Sequence, residues 1–179
     1  MTEASGPGTS DRDLIGRIRL GDRASFEEVV LRYEGRVYAA CRSLLRDRED
    51  AIDVAQETFL QAFLSIGSLK EEDRLAGWLC GIALTLCKAR RRRTLRRLRL
   101  WERRPESSRL SDAAEPFPVD EWMDQLPEEQ RAAVALRYRA DLTLKEVAEA
   151  MGLPMTTAKR LVHQGLLALR TLLHREDFR

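Results

Sequence analysis

The chain has 179 residues, enough for one medium domain or two small helical ones, and 34% of them are charged, yet the formal net charge is only +2. No stretch approaches the roughly 20 apolar residues that a membrane helix needs, and Met1–Ser10 is small and polar, unlike a secretory signal. A cytoplasmic protein without direct membrane insertion is therefore expected. Three cysteines, Cys41, Cys80 and Cys87, form neither an even set nor a CxxC pair. That pattern argues against a disulfide framework or a zinc site, and each thiol is expected as a buried small side chain in an apolar helical pattern.

The near-zero net charge hides a strong segregation. From Lys88 to Arg104 ten basic residues stand against Glu102, whereas from Asp47 to Glu57 five acids face Arg48. Such a division suggests two partners of opposite charge, or one surface for DNA and another for protein; solvated helix faces are the plainer alternative.

In chain order, nearly every segment reads as helix, and neither alternating β-branched runs nor hairpin dipeptides occur. A disordered start over 1–10 is followed by a short helix from Asp11 to Leu20, ended by Gly21. Ala24–Arg46 carries one apolar stripe through Phe26, Val29, Val30, Tyr33, Val37, Ala40, Cys41, Leu44 and Leu45. Asp47 is placed to cap the next helix, Glu49–Ile66, with a predicted buried stripe of Ile52, Ala55, Phe59, Phe63 and Ile66. Gly67 and Ser68 break it. Helix resumes at Arg74 through Leu75, Trp78, Leu79, Ile82, Ala83 and Leu86 and runs into the arginines. Pro105, Pro116, Pro118 and three serines then leave no stripe, which reads as a linker over 103–119. The expected architecture is all-α: two small helical domains, 11–102 and 120–179, joined by a flexible linker, the second a helix-turn-helix.

The helix-turn-helix rests on local chemistry. Thr143 and Glu146 form a capping box, Gly152 supplies a left-handed C-cap, Leu153 plugs the corner, and Pro154 suits the first turn of the following helix because its missing N–H costs nothing there. Ala148 is small where two helices must meet. On the second helix Ala158, Val162, Leu166 and Leu169 are predicted to face inward. Thr156, Thr157, Lys159, Arg160, His163 and Gln164 lie elsewhere and can hydrogen-bond DNA, with Lys145 a further basic candidate on the first helix. Arg160 and Gln164 have the reach for base edges, while Thr156, Thr157 and Lys159 suit phosphates. An ordinary helical hairpin is the alternative.

Three motifs, DVAQETF at Asp53–Phe59, GWLCGIA at Gly77–Ala83, and LPEEQR at Leu126–Arg131 followed by LRY at Leu136–Tyr138 and LTLKEVA at Leu142–Ala148, resemble in order and spacing the extracytoplasmic-function (ECF) group of bacterial sigma factors. The resemblance spans about residues 12–173. It implies a dissociable specificity subunit of RNA polymerase, with a first domain that docks on core polymerase and melts the minus-ten element and a second that grips the minus-thirty-five element. It assigns Asp50, Asp53, Gln56, Glu57 and Leu60 to polymerase docking. Ser65–Arg74, with Lys70 and Arg74, becomes the candidate base-capture loop, and the run from Lys88, including Arg91 and Arg92, a phosphate-holding surface. Trp78 reads as core before stacking platform. An anti-sigma factor is an implied partner; no cofactor, metal, catalytic residue or small-molecule substrate is expected. The chain departs from the family pattern at Cys80, Gly81, Leu84, Thr85, Leu161 and Gln164, and Gly165 lies in mid-helix.

Two other functions compete. A free-standing helix-turn-helix regulator usually dimerises to match half-sites, but no dedicated dimer helix is evident and the Asp53 motif would be unexplained. A nuclease might set Glu49, Asp50, Asp53 and Glu57 around a metal, yet the two histidines, His163 and His174, both lie in the last helix, and no nucleophile–base pair is in view.

Overall fold

The structure is a computed structural model that describes residues 9–45, 47–69, 74–101 and 118–176. The disordered start expected for 1–10, apart from residues 9 and 10, and most of the expected linker lie outside the described residues, as does Lys70. Among the described residues there are no strands. The helices are α1 (Asp11–Arg19), α2 (Arg23–Leu44), α3 (Arg48–Ser65), α4 (Leu75–Trp101), α5 (Pro118–Asp124), α6 (Glu128–Tyr138), α7 (Leu144–Met151) and α8 (Met155–Glu176), with one 3₁₀ turn at Ile66–Ser68.

Short polar side chains start the early helices by accepting from otherwise unpartnered amides. Ser10 Oγ accepts from Asp13 N at 3.2 Å, Asp22 Oδ1 from Ala24 N at 3.0 Å, and Asp47 Oδ1 from Asp50 N at 2.8 Å. Asp22 also accepts from the Ser25 hydroxyl at 2.7 Å. That bond, foremost among several, holds its carboxyl below the usual carboxylate range. Between α1 and α2 the chain turns at Gly21 with φ +94°, a conformation that favours glycine.

Helices α1 to α4 enclose a core of Leu14, Ile15, Val29, Val37, Val54, Leu75, Leu79 and Ala83, all buried. Each large apolar side chain so placed contributes about 1.5–3 kcal/mol. The three thiols belong to this core. Cys41 is raised above the usual thiol range, first by its hydrogen bond with Cys87 and then by burial, and burial pushes Cys80 up to about 12. The scarcity of thiolate at Cys41 and Cys80 suits them to be structural small side chains, and Cys87 is buried beside them.

Two predicted stripes are displaced. On α3 the inward residues are Ala51, Val54, Thr58, Phe59 and Ala62, whereas Ile52 and Phe63 are each 38% exposed. Bulk alone suggested the wrong face, since α3 sits close to its neighbours on small side chains and the Thr58 hydroxyl is satisfied by the Val54 carbonyl at 2.7 Å. Phe63 instead meets Phe26 edge to face, with ring centroids 5.0 Å apart. On α8 the inward residues are Ala158, Leu161, Val162 and Gly165, while Leu166 turns outward at 37% exposure and Leu169 packs only at the margin.

The two halves of the chain also pack on each other. α7 lies on α4 and α6 meets α2, and Leu136, Leu142, Val147 and Ala158 join the same apolar cluster as Leu79 and Val37. A smaller cluster of Met123, Leu126, Val134 and Ala135 ties α5 and α6 to α8.

Gly165 accounts for itself in this packing. A Cβ there would stand 2.6 Å from Val134 Cγ2 and 3.3 Å from the Gln130 carbonyl oxygen, and a β-branched valine inside a helix has almost no rotamer freedom with which to yield. Gly165→Ala, favourable by helix propensity alone, is therefore expected to destabilise the chain by about 1–3 kcal/mol in urea denaturation, as overpacking does. Val134→Ala in the same chain should recover part of the loss.

Candidate nucleic-acid interface

The helix-turn-helix forms as its local chemistry dictates. Thr143 N donates to Glu146 Oε2 at 2.7 Å and Glu146 N donates back to Thr143 Oγ1 at 3.3 Å, the reciprocal capping box at the start of α7. The helix stops at Gly152 with φ +64°. There Gly152 N donates to the Glu149 carbonyl and Leu153 N to the Ala148 carbonyl, at 3.0 and 2.9 Å, the paired bonds of a Schellman end. Pro154 lies just ahead of α8, and its carbonyl accepts from Thr157 N and Ala158 N at 2.9 and 3.0 Å. The turn is thus fixed at both ends by backbone bonds, which sets the direction in which α8 leaves it.

On α8, Thr156, Lys159, Arg160, His163 and Gln164 are exposed and recur at three- and four-residue steps, so they share one outward face. Thr157 is half-buried beside them, and Lys145 is exposed on α7. Leu161 occupies none of this face: at 6% exposure it is a core residue.

The other candidates divide. Arg92 is exposed and Lys88 half-buried on α4. Arg91 Nη1 reaches Glu128 Oε2 on α6 at 3.6 Å, and Arg74 Nε reaches Glu149 Oε1 on α7 at 3.0 Å. Those two arginines, read from the sequence as DNA contacts, therefore face acids from the second half of the chain. Glu128 and Glu149 were not legible as partners, because nothing in a linear charge pattern brings α4 to α6 or α7. Trp78 is half-buried against the core, beside a groove that it lines with Gln61, Ile82 and Met151.

On α3 the five acidic-face candidates behave unequally. Asp53, Gln56, Glu57 and Leu60 are exposed, whereas Asp50 is half-buried and accepts from Arg90 Nη1 at 2.5 Å, with Asp53 3.8 Å from the same nitrogen. The same outward side carries Leu64, 75% exposed, along with the outward-turned Ile52 and Phe63. The sequence reading missed these, since it placed Ile52 and Phe63 in the core. Their signal is an apolar count on α3 larger than one buried face can hold.

Residues 19–97 match the family "Sigma-70 region 2" and residues 122–171 match "Sigma-70, region 4". The ECF RNA polymerase sigma-E factor of Haemophilus influenzae is 30% identical over 174 residues, covering 87% of this chain and 91% of that protein. This chain belongs to the ECF sigma factors. The RNA polymerase sigma-H factor of Pseudomonas aeruginosa is 28% identical over 177 residues, covering 89% and 91% of the two chains. The fold is also that of the solved structure of CnrH in complex with the cytosolic domain of CnrY, with TM-score 0.73 over 93% of this chain and 99% of that one at 23% identity. It is likewise that of the sigma factor RpoE of Bartonella quintana in its complex with the anti-sigma factor NepR, with TM-score 0.68 over 83% and 96% at 21% identity.

In this sigma factor the LPEEQR motif has a structural duty. Arg131 is 5% exposed, and its Nη1 donates to Asp124 Oδ1 at 3.0 Å, which fastens α6 to α5. Burial, and then the nearby Arg91 charge, pull the Arg131 guanidinium below its ordinary value, but an arginine stays charged throughout the working pH range. The two ends of the pair are unequal in burial. Asp124→Ala strands a buried cation and is expected to cost of order 3 kcal/mol in chemical denaturation. Arg131→Met, which leaves a carboxylate that water can reach, should cost distinctly less; an equal loss would mean that the charge is not what holds α5.

Proposed function

We propose that this ECF sigma factor divides its labour between the outer face of α3 and the outward face of α8. The proposed units are residues 11–102, which dock on core RNA polymerase and open the minus-ten element, and 120–179, which grip the minus-thirty-five element, with 103–119 between them. The carrying observation is that one chain presents, on opposite halves, an acidic–apolar helix face (Asp53, Gln56, Glu57 and Leu60) and a polar DNA-reading face (Thr156, Lys159, Arg160, His163 and Gln164), each backed by a packed core. Asp50 serves the first face indirectly, through its pair with Arg90. Lys70, Arg74, Lys88, Arg91, Arg92, Lys145 and Thr157 complete the proposed DNA contacts.

The work is binding rather than bond-making. The support is the pair of sigma-70 regions that the chain matches, and no small-molecule substrate is invoked. No described helix is long and apolar enough to cross a membrane, and a factor that joins polymerase on the chromosome works in the cytoplasm. An anti-sigma partner is part of the proposal, supported by the two similar structures, which are complexes with the cytosolic domain of CnrY and with the anti-sigma factor NepR.

The test is transcription in vitro with core polymerase on a genomic DNA pool, followed by start-site mapping; no start sites above those of core enzyme alone would refute the reading. In the same system Asp53→Ala with Gln56→Ala, both exposed and outside the core, is expected to weaken core binding about ten-fold or more with the helical content unchanged. Arg160→Ala is expected to lower minus-thirty-five binding by roughly 1–3 kcal/mol, with the loss concentrated at one base position. An even loss across all sequences would make Arg160 a phosphate contact.

A further inference from the structure

The last residue of α1 reaches across to the turn that ends α3. Arg19 Nη2 donates to the Leu69 carbonyl, fifty residues away in the chain, and α1 packs along the Ile66–Ser68 turn as well as along α2. The turn itself is drawn together by local bonds. Ser65 Oγ donates to the Gln61 carbonyl at 2.6 Å, Ser68 Oγ to the Ser65 carbonyl at 2.7 Å, and Leu69 N to the Ile66 carbonyl at 3.2 Å. Ile66 and Leu69 are buried while Gly67 and Ser68 between them are exposed, so two apolar anchors hold the turn down and its middle faces outward. A Cβ at position 67 would meet nothing within 4 Å, and Gly67 has no positive φ. Neither packing within the chain nor a left-handed backbone therefore calls for glycine there, and the missing side chain leaves room for a group from outside to approach the backbone. The other end of α1 is fixed as well. Asp11 accepts from the Tyr33 hydroxyl and from Arg32 Nη1, the latter at 2.6 Å, and Arg32 Nη2 donates to the Thr9 carbonyl at 2.8 Å. Between the two ends Leu14, Ile15 and Ile18 are buried.

We propose that Arg19 is a positioning residue for minus-ten opening: by holding the Leu69 carbonyl it sets where the Gly67–Ser68 turn stands against the unpaired base. The proposal rests on the base-capture reading of this loop given above. The serine bonds tighten the turn, but they run to residues at the end of α3 and do not fix its place relative to the rest of the domain. The Arg19 bond is of another kind, since it ties the turn to a helix that is itself clamped on α2 at its far end. A guanidinium donating to a carbonyl is charge-assisted, roughly twice as strong as a neutral bond, and its planar fork is a stiff donor. An unpaired base is read by hydrogen bonds to its edge, which weaken steeply when misaligned, and a binding constellation has to be held to within about 0.5 Å. Releasing the Leu69 carbonyl should therefore blur the choice of base more than it weakens the grip on DNA. A phosphate contact by the same side chain has the opposite signature: it is indifferent to sequence, and its loss lowers the salt slope by about one.

The test uses the full chain with core polymerase on a promoter drawn from the genomic pool, its minus-ten bases varied one at a time. It reads the permanganate reactivity of unpaired thymines, together with amide exchange over 66–69 in the free factor. Arg19→Ala is expected to speed exchange at the Leu69 amide several-fold, to lower the opened complex about ten-fold and to flatten the preference at one minus-ten base. Core binding and the salt dependence of promoter binding should stay as in the wild type. Arg19→Lys, which keeps a charged donor, should restore most of the preference. Unchanged base preference in Arg19→Ala overturns the proposal, as does unchanged amide exchange. A loss that is even across all minus-ten sequences, with a shallower salt slope, also overturns it and makes Arg19 a phosphate contact. Should Arg19→Ala lower the helical content, Arg19→Gln, shorter and uncharged, takes its place under the same criteria. Gly67→Leu, placed where a side chain has open space, probes the reading beneath, and is expected to block opening with helical content unchanged. If it opens the promoter as the wild type does, base capture at this loop fails and the proposal falls with it. If it blocks opening while Arg19→Ala is silent, the positioning role alone fails.

Discussion

The distance at which two helices can pass is set by the side chains between them, and in this sigma factor α7 comes close to α4 where side chains are missing. Gly77 and Gly81 on α4 let α7 approach until its carbonyl oxygens stand 3.0 and 3.2 Å from where a β-carbon would lie. The capping box and the Schellman end then fix where α7 begins and stops, and the turn that follows fixes where α8 points. The orientation of the DNA-reading face relative to α4 is thus inherited from two absent methyl groups through a short chain of backbone bonds.

Electrostatics acts on a scaffold that packing has already placed. The acid-rich start of α3 and the arginine-rich end of α4 are drawn together at Asp50 and Arg90, so part of the charge that looks like two separate surfaces in the sequence is consumed inside one. What remains exposed on α3 is a mixed patch in which carboxylates sit among leucines. Such a patch combines charge steering with apolar area that can be removed from water on docking.

Most of the fold was legible because its signals are local. Asp47 at a helix start, Gly21 and Gly152 at helix ends, and the Thr143–Glu146 box each act within a few residues, and the structure uses every one of them. What was not legible depends on contacts between distant helices. Apolar periodicity gives a helix a wet side and a dry side, but it does not say whether the dry side seats bulky or small residues. Hence Ile52 and Phe63 were placed one step inward of their true positions, and Leu166 was preferred to Leu161 and Gly165. The same limit hid Glu128 and Glu149, whose partners lie more than thirty residues earlier in the chain. The departure from the family pattern at Leu161 is a core residue rather than an altered base reader, and the mid-helix Gly165 becomes intelligible with α6 in place.

The contact of Gly165 with Val134 has a corollary for descent. Because the space between α6 and α8 is shared, positions 134 and 165 are not free to vary one at a time: a side chain gained at 165 has to be matched by bulk lost at 134. In a lineage of related chains the two sites would change as a couple, and an apparently harmless helix-favouring replacement of the glycine would survive only where its neighbour had already shrunk.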